Sequence, residues 1–387
     1  VSVVLGSDVL FDRQLVRGRT VGIVCNPASV TGGWEHVLDR ARRAGVHVGA
    51  IFGPQHGFRS DVQDNMIETP HAIDAAANVP VYSLYSETRE PTGEMLAGLD
   101  ALVIDLQDVG TRVYTYVYTM AHCLVAARRH GLPVIVCDRP NPVGGVAVEG
   151  PVLEPAYASF VGKYAIPLRH GMTIGELARL FNDHFGIGAK LEVVALQGWS
   201  RAMYHDDTGL PWVMPSPNLP TLDSVVVYPG MVLFEGTTVS EGRGTTRPFE
   251  LVGAPWVQPE PFAAALNAEG LPGVHFRPVS FEPTFHKHAG LACGGCQVHV
   301  TDRAAFRPVL TAVSLIAAFH RAGPDRFAWR EPPYEYEYTQ VPIDVLYGSP
   351  RLREAIAAGV SAAAIAGEWT AALEAFTALR RRFLLYD

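Results

Sequence analysis

The chain has 387 residues, 48% of them hydrophobic and 18% charged, with a formal net charge of −8. So apolar a chain folds around sizeable cores, which excludes a disordered protein, and at about 150 residues per domain its length suggests two or three of them. The negative balance, with no long Lys/Arg run, excludes the basic footprint that nucleic-acid binding requires.

No apolar run reaches the roughly 18 residues that span a bilayer. Val1 to Leu10 has no basic segment and no cleavage site, so no signal peptide is visible. The five cysteines (Cys25, Cys123, Cys137, Cys293 and Cys296) are odd in number and three lie in apolar stretches, which predicts reduced, buried thiols. Both features fit a cytoplasmic protein, or an exported one if a leader was removed before residue 1.

Along the first 145 residues, short β-branched runs alternate with helical stretches. The runs are Val21 to Cys25, Val48 to Phe52, Val79 to Leu84, Ala101 to Ile104 and Pro133 to Cys137. Trp34 to Ala44, Thr92 to Leu99 and Thr115 to His130 read as crossover helices. Near-continuous apolar strands alternating with helices predict a parallel sheet covered on both faces. The expected class is α/β, with a Rossmann-like domain over 1–145 and a second, α+β domain over 146–387 that forms a cleft with it.

Each strand ends in a polar cluster, and in open α/β sheets ligands bind at those ends. After the second strand comes Gly53-Pro54-Gln55-His56-Gly57-Phe58-Arg59, after the fourth Asp105-Leu106-Gln107-Asp108, and after the fifth Asp138-Arg139-Pro140-Asn141-Pro142. The first turn lacks G-x-G-x-x-G, and no Walker sequence, G-x-S-x-G elbow or H-E-x-x-H occurs. Nucleotide, serine-hydrolase and zincin chemistry therefore lose their main support, and no cofactor is expected. His286 and His288, followed by Cys293 and Cys296, have zinc-like spacing, but Gly294-Gly295 and the alternation after it equally suit a bend entering a strand.

In the second half, Thr173 to His184 has helical periodicity, and Thr173-x-x-Glu176 is a capping box. His170 sits just before it. Pro- and Gly-rich loops dominate from Gly198 to Pro259, with Ser216 and Asn218 set between prolines. The segment Glu235 to Pro248 reads as a long functional loop: its glycines expose backbone amides, Thr237 supplies a hydroxyl, and Arg243 can grip an anion. Glu235, at its head, is the first candidate for a catalytic carboxylate. Tyr116 belongs to a Tyr-Thr-Tyr-Val-Tyr run that offers a ring for stacking. Tyr334-Glu335-Tyr336-Glu337-Tyr338 alternates as a strand with one aromatic face would, and Leu352 to Leu385 reads as closing helices.

In order and together, several of these segments are specific. They are Gly53-Pro54-Gln55-His56-Gly57-Phe58, Asp105-Leu106-Gln107-Asp108-Val109-Gly110, Asp138-Arg139-Pro140-Asn141-Pro142, Arg169-His170-Gly171-Met172, Pro215-Ser216-Pro217-Asn218, Tyr228-Pro229-Gly230 and Glu235-Gly236-Thr237-Thr238. From about Val21 to Tyr386 the chain resembles the NamZ family of exo-β-N-acetylmuramidases. The resemblance implies a two-domain glycosidase that removes N-acetylmuramic acid from the non-reducing end of peptidoglycan fragments, or acts on a related amino-sugar glycoside. A muropeptide or such a glycoside is the expected partner.

The family commonly has Glu where this chain has Gln55, and a carboxamide cannot exchange the catalytic proton. Either another acid serves, with Glu68, Glu87 and Asp108 as candidates, or the chain only binds a cell-wall sugar. Gln55, His56, Arg59, Tyr116, Asn141, His170, Ser216, Asn218, Thr237 and Arg243 are the expected substrate-binding residues.

Overall fold

A computed structural model describes residues 2–63, 66–75 and 78–387. Its first half is built on a seven-stranded sheet. The strands are β1 (Thr20–Val24), β2 (His47–Gly53), β3 (Ala72–Asp74), β4 (Val79–Ser83), β5 (Ala101–Ile104), β6 (Val134–Cys137) and β9 (Leu191–Val194). Their spatial order is β3-β4-β2-β1-β5-β6-β9, parallel except for the edge strand β3. The five expected strands are all present. The sheet does not stop at residue 145, however, because β9 pairs with β6 from beyond it.

The apolar runs follow from burial on both faces. Leu102, Ile104, Val134 and Val136 face one core; Ala101, Val103, Ile135 and Cys137 face the other. Alternate residues point to opposite faces, so a strand covered on both sides has no polar position left. The smaller core lies under helices Gly6–Asp12 and Val37–Arg43. The larger one continues without a break into the second half, through Val225, Phe234, Phe249 and Phe319.

The second half holds the antiparallel sheet β10 (Leu251–Ala254), β12 (Cys293–Val300) and β11 (Val274–Phe281), with β12 in the middle. A two-stranded ribbon, β7 (Glu149–Val152) with β8 (Pro167–Arg169), joins the halves. Helix Pro308–Ala322 crosses helix Leu222–Met231 so closely that a Cβ at Gly230 would lie 1.9 Å from the Pro308 carbonyl oxygen. That crossing accounts for the Tyr228-Pro229-Gly230 segment. Leu222–Met231 lies within the stretch expected to be mostly loop. It is buried on nearly every side from Ser224 to Met231, so it lacks the polar face that periodicity detects.

The capping box at Thr173 is present: its hydroxyl accepts from the Glu176 amide at 3.3 Å and also donates to buried Asp138 at 2.7 Å. Thr173→Ala is expected to cost about 1–2 kcal/mol, the loss of a cap plus one buried hydrogen bond, measured as a lower urea midpoint at unchanged slope. Among the described residues, no helix is long and apolar enough to cross a membrane.

Candidate active site

The sheet order reverses at β1, whose neighbours are β2 on one side and β5 on the other. Crevices form at such points, at the carboxyl ends of the strands. Here Asn26, just after β1, donates to the Tyr116 hydroxyl at 2.9 Å and to the Pro215 carbonyl at 2.8 Å. It thereby draws the proline-rich 215–220 loop of the chain's middle over the strand ends. After β5 and β6, Asp105 and Arg139 form a buried bidentate pair at 2.6 and 2.8 Å, so Asp105 braces two strand ends and is not a reacting group.

Beside this point lies a cleft. From the first half come Gln55, His56, Tyr114, Thr115 and Tyr116; Ser216, Asn218 and Leu219 form another wall. Glu235, Arg243 and Phe249 enter from the second half, with Tyr334 and Glu335 beyond them. The two regions expected to converge thus share one hollow, and it holds two buried carboxyl groups.

Glu235 sits in a 3-10 turn, Val232–Gly236, immediately after helix Leu222–Met231. Gly236 permits that turn, since a Cβ there would press within 2.8 Å of the Ile343 backbone. The Arg243 guanidinium donates to Glu235 Oε1 at 2.7 Å and the Tyr334 hydroxyl to Oε2 at 2.6 Å. Two strong donors on two oxygens suit a carboxylate. Behind Arg243 lies Glu241, fully buried. Burial opposes its charge, but the Lys287 ammonium at 2.7 Å, His286 at 3.3 Å and Arg243 hold its carboxyl well below the usual range. Lys287 also donates to the carbonyls of Phe234 and Val239, clamping the segment that carries Glu235.

Glu335 was not expected. Tyr334 to Glu337 is a tight turn and not a strand: the two residues exchange backbone hydrogen bonds at 2.9 Å, and Glu335 and Tyr336 have φ of 46° and 66°. Positive φ at both central positions is the hairpin turn that favours Asn and Gly. For side chains such as these it costs about 1–2 kcal/mol per residue, so the surroundings must hold it. Glu335 Oε1 accepts from the Gln55 amide at 3.0 Å and Oε2 from the Tyr85 hydroxyl at 2.7 Å. The Thr115 hydroxyl donates to Gln55 Oε1 at 2.6 Å, which fixes the amide with its nitrogen toward Glu335. Burial, and then the nearby Glu235 charge, push the Glu335 carboxyl above its ordinary value against the Tyr85 and Gln55 bonds.

Other expected site residues lie elsewhere. Asp108 is buried, accepts from the Gly110 amide at 2.8 Å, faces the His170 ring at 3.2 Å, and does not line the cleft. His170 is turned to that carboxyl and to the Met172 amide. Asn141 bonds the Met172 carbonyl and the Val143 amide as a turn-former, and the Thr237 hydroxyl serves its own turn between Phe234 and Val239. Glu68 and Glu87 are exposed and outside the lining. Arg59 is also exposed, beside a separate depression with Phe58 and Tyr82. The zinc-like spacing is dispersed: His286 meets Glu241, His288 meets the Thr238 carbonyl, and Cys293 and Cys296, three apart on β12, point to opposite faces. All five cysteines are buried and unbridged, and among the described residues no three His, Cys, Asp or Glu side chains are placed to hold a metal ion.

Residues 21–223 match the model of the exo-β-N-acetylmuramidase NamZ N-terminal domain, and residues 226–386 that of its C-terminal domain. The peptidoglycan β-N-acetylmuramidase NamZ of Bacillus subtilis (strain 168) is 47% identical over 375 residues, 97% of this chain and 88% of that protein. The crystal structure of a DUF1343 family protein from Bacteroides fragilis NCTC 9343 superposes with a TM-score of 0.90 at 33% identity, over all of both chains. A second such protein from the same organism gives 0.78 at 28% identity, over all of this chain and 99% of the other.

Proposed function

The chain belongs to the NamZ family of exo-β-N-acetylmuramidases, and from that premise we propose that it is a glycoside hydrolase releasing N-acetylmuramic acid from the non-reducing end of peptidoglycan fragments. The observation that carries the chemistry is the pair of buried carboxyl groups, Glu235 and Glu335, facing one cleft. Glycoside cleavage uses two such groups in unlike states, one protonated and one ionised. Glu335, pushed upward by burial and by its neighbour's charge, is the general acid that protonates the leaving oxygen. Glu235, gripped by Arg243 and Tyr334, is the ionised partner at the anomeric carbon.

Ser216 and Asn218 line the cleft and suit the sugar's hydroxyls and acetamido group. Arg243 was expected to read the sugar's acid. With Glu235 and Glu241 on either side of it, it serves instead to hold Glu235. Gln55 takes no proton in this scheme; it orients Glu335.

The test is incubation with a disaccharide carrying N-acetylmuramic acid at its non-reducing end. Release of free N-acetylmuramic acid, seen by mass spectrometry, is expected. Calorimetric binding of the sugar with no release on long incubation would instead make the protein a cell-wall sugar binder.

Gln55→Glu provides a separate check. A carboxyl at this position lies about 3 Å from Glu335, where two carboxylates cannot both ionise freely. The pair should retain its last proton to higher pH, moving the alkaline limb of the kcat profile upward. An unmoved limb would show that Gln55 does not address the acid.

A further inference from the structure

Glu335 stands on a turn whose backbone needs external support, and the contacts on that turn lead to a residue that the mechanism has not used. Arg89, in the loop after β4, places its guanidinium carbon 4.3 Å from the centre of the Tyr85 ring and 4.4 Å from that of Tyr336. Phe160 adds a third ring at 5.6 Å, and Arg89 Nη1 donates to the Ser86 carbonyl of its own loop. The Tyr85 and Tyr336 rings meet edge to face, 5.8 Å apart. Tyr85 is also the residue whose hydroxyl bonds Glu335 Oε2, and Tyr336 is the second strained residue of the Glu335 turn. One planar cation thus contacts both the ring that holds the carboxyl and the turn that carries it. It draws on three segments far apart in sequence.

We infer that Arg89 is a positioning residue for Glu335: by lying between Tyr85 and Tyr336 it locks the β4 loop against the 334–337 turn and fixes the carboxyl that protonates the leaving group. The inference rests on Glu335 being the acid. A guanidinium suits the task because it is planar, stacks on aromatic faces and keeps its charge. A lysine at this position would keep the charge and lose the plane.

The test uses two leaving groups, a sugar that must be protonated to depart and a dinitrophenolate that leaves without a proton. Arg89→Ala is expected to lower kcat on the disaccharide by about 10–100-fold, the cost of an acid displaced by a fraction of an ångström to an ångström. KM should stay within about twofold, and kcat/KM for the dinitrophenyl muramide should fall no more than about threefold, because that constant covers the departure step alone, where this leaving group needs no proton. Arg89→Lys should remain close to Arg89→Ala. If the alanine variant does not fold, Arg89→Met keeps the stem and carries the same comparison. In the Glu335→Gln background the Arg89 change should add almost nothing, the non-additivity of two residues acting through one group.

Equal losses on both leaving groups, a rise in KM alone, full activity of Arg89→Lys, or an unchanged penalty in the double variant would each overturn the inference. Glu335→Gln at the wild-type rate on the disaccharide is a different failure: it removes the assignment of the acid, and Arg89's role falls with it.

Discussion

Glu235→Gln is expected to lower kcat on an N-acetylmuramyl disaccharide by about 1,000-fold or more, the largest effect of any single substitution in the cleft. The change keeps the shape of the side chain and removes its charge. In the wild type, Arg243 and Tyr334 hold both oxygens, so the carboxylate is presented in one orientation without reorganisation when positive charge develops at the anomeric carbon. A neutral amide cannot stabilise that charge or attack the carbon, and its nitrogen would face either a cationic or a hydroxyl donor. The neighbouring Glu241 cannot replace the lost carboxylate, because it is engaged by Lys287 and His286. Dinitrophenyl and sugar leaving groups should suffer alike, since the lost function is on the side of attack and not of departure. Parallel melting curves would establish that the fold survives. A Glu235→Gln enzyme within tenfold of wild type would remove Glu235 from the chemistry.

The frame that carries these groups was readable from sequence to a large extent, and the reason is physical. Strands buried on both faces leave unbroken apolar runs, and a helix such as Tyr116–His130 closes on basic residues and a left-handed Gly131, so the order of elements in the first half is nearly explicit. The polar strand ends marked the correct side of the sheet, and Glu235 stood out at the head of a Gly/Thr/Arg segment. Seven of the expected residues (Gln55, His56, Tyr116, Ser216, Asn218, Glu235 and Arg243) line one cleft.

What was missed was missed for equally definite reasons. Tyr-Glu-Tyr-Glu-Tyr has the period of a strand, and nothing in it announces positive φ at Glu335 and Tyr336, because the residues that normally mark such turns are absent. The bond between Gln55 and Glu335 spans 280 positions of sequence. Local reading therefore saw a carboxamide without a partner and sought the missing acid nearby, at Glu68, Glu87 and Asp108. Asp108 looked like a catalytic group because buried acids at strand ends serve both purposes. Only the placement of His170 and of the Gly110 amide distinguishes bracing from chemistry. The helix Leu222–Met231 was hidden for a related reason, as burial on almost every side leaves no amphipathic signal.

Glu335→Gln should separate the second carboxyl from the first by the form of its defect and not only by its size. On the disaccharide, kcat is expected to fall by about 100- to 10,000-fold, the usual worth of a positioned general acid. For the dinitrophenyl glycoside kcat/KM should fall only slightly, since it covers the departure step alone. The pH profile carries the sign. Burial and the Glu235 charge raise the Glu335 carboxyl, so the wild-type enzyme keeps its acid protonated above the ordinary carboxyl range and loses activity as pH rises through the raised value. Glu335→Gln has no proton to lose, and its residual rate should lack that alkaline limb. Stability should move the other way. A group whose pKa is higher in the folded than in the unfolded chain contributes stability that is fully present below the unfolded value and is lost as pH rises through the folded one. At neutral pH the wild type therefore carries the cost of a carboxyl whose ionised form the site disfavours, and the amide does not. Glu335→Gln should accordingly melt at or above the wild-type temperature near pH 7, with the difference shrinking toward pH 4. An enzyme that is slower and no less stable is what a group kept for protonation would leave behind. A variant with lower Tm and equal losses on both leaving groups would make Glu335 a structural support for Gln55 and Tyr85 instead.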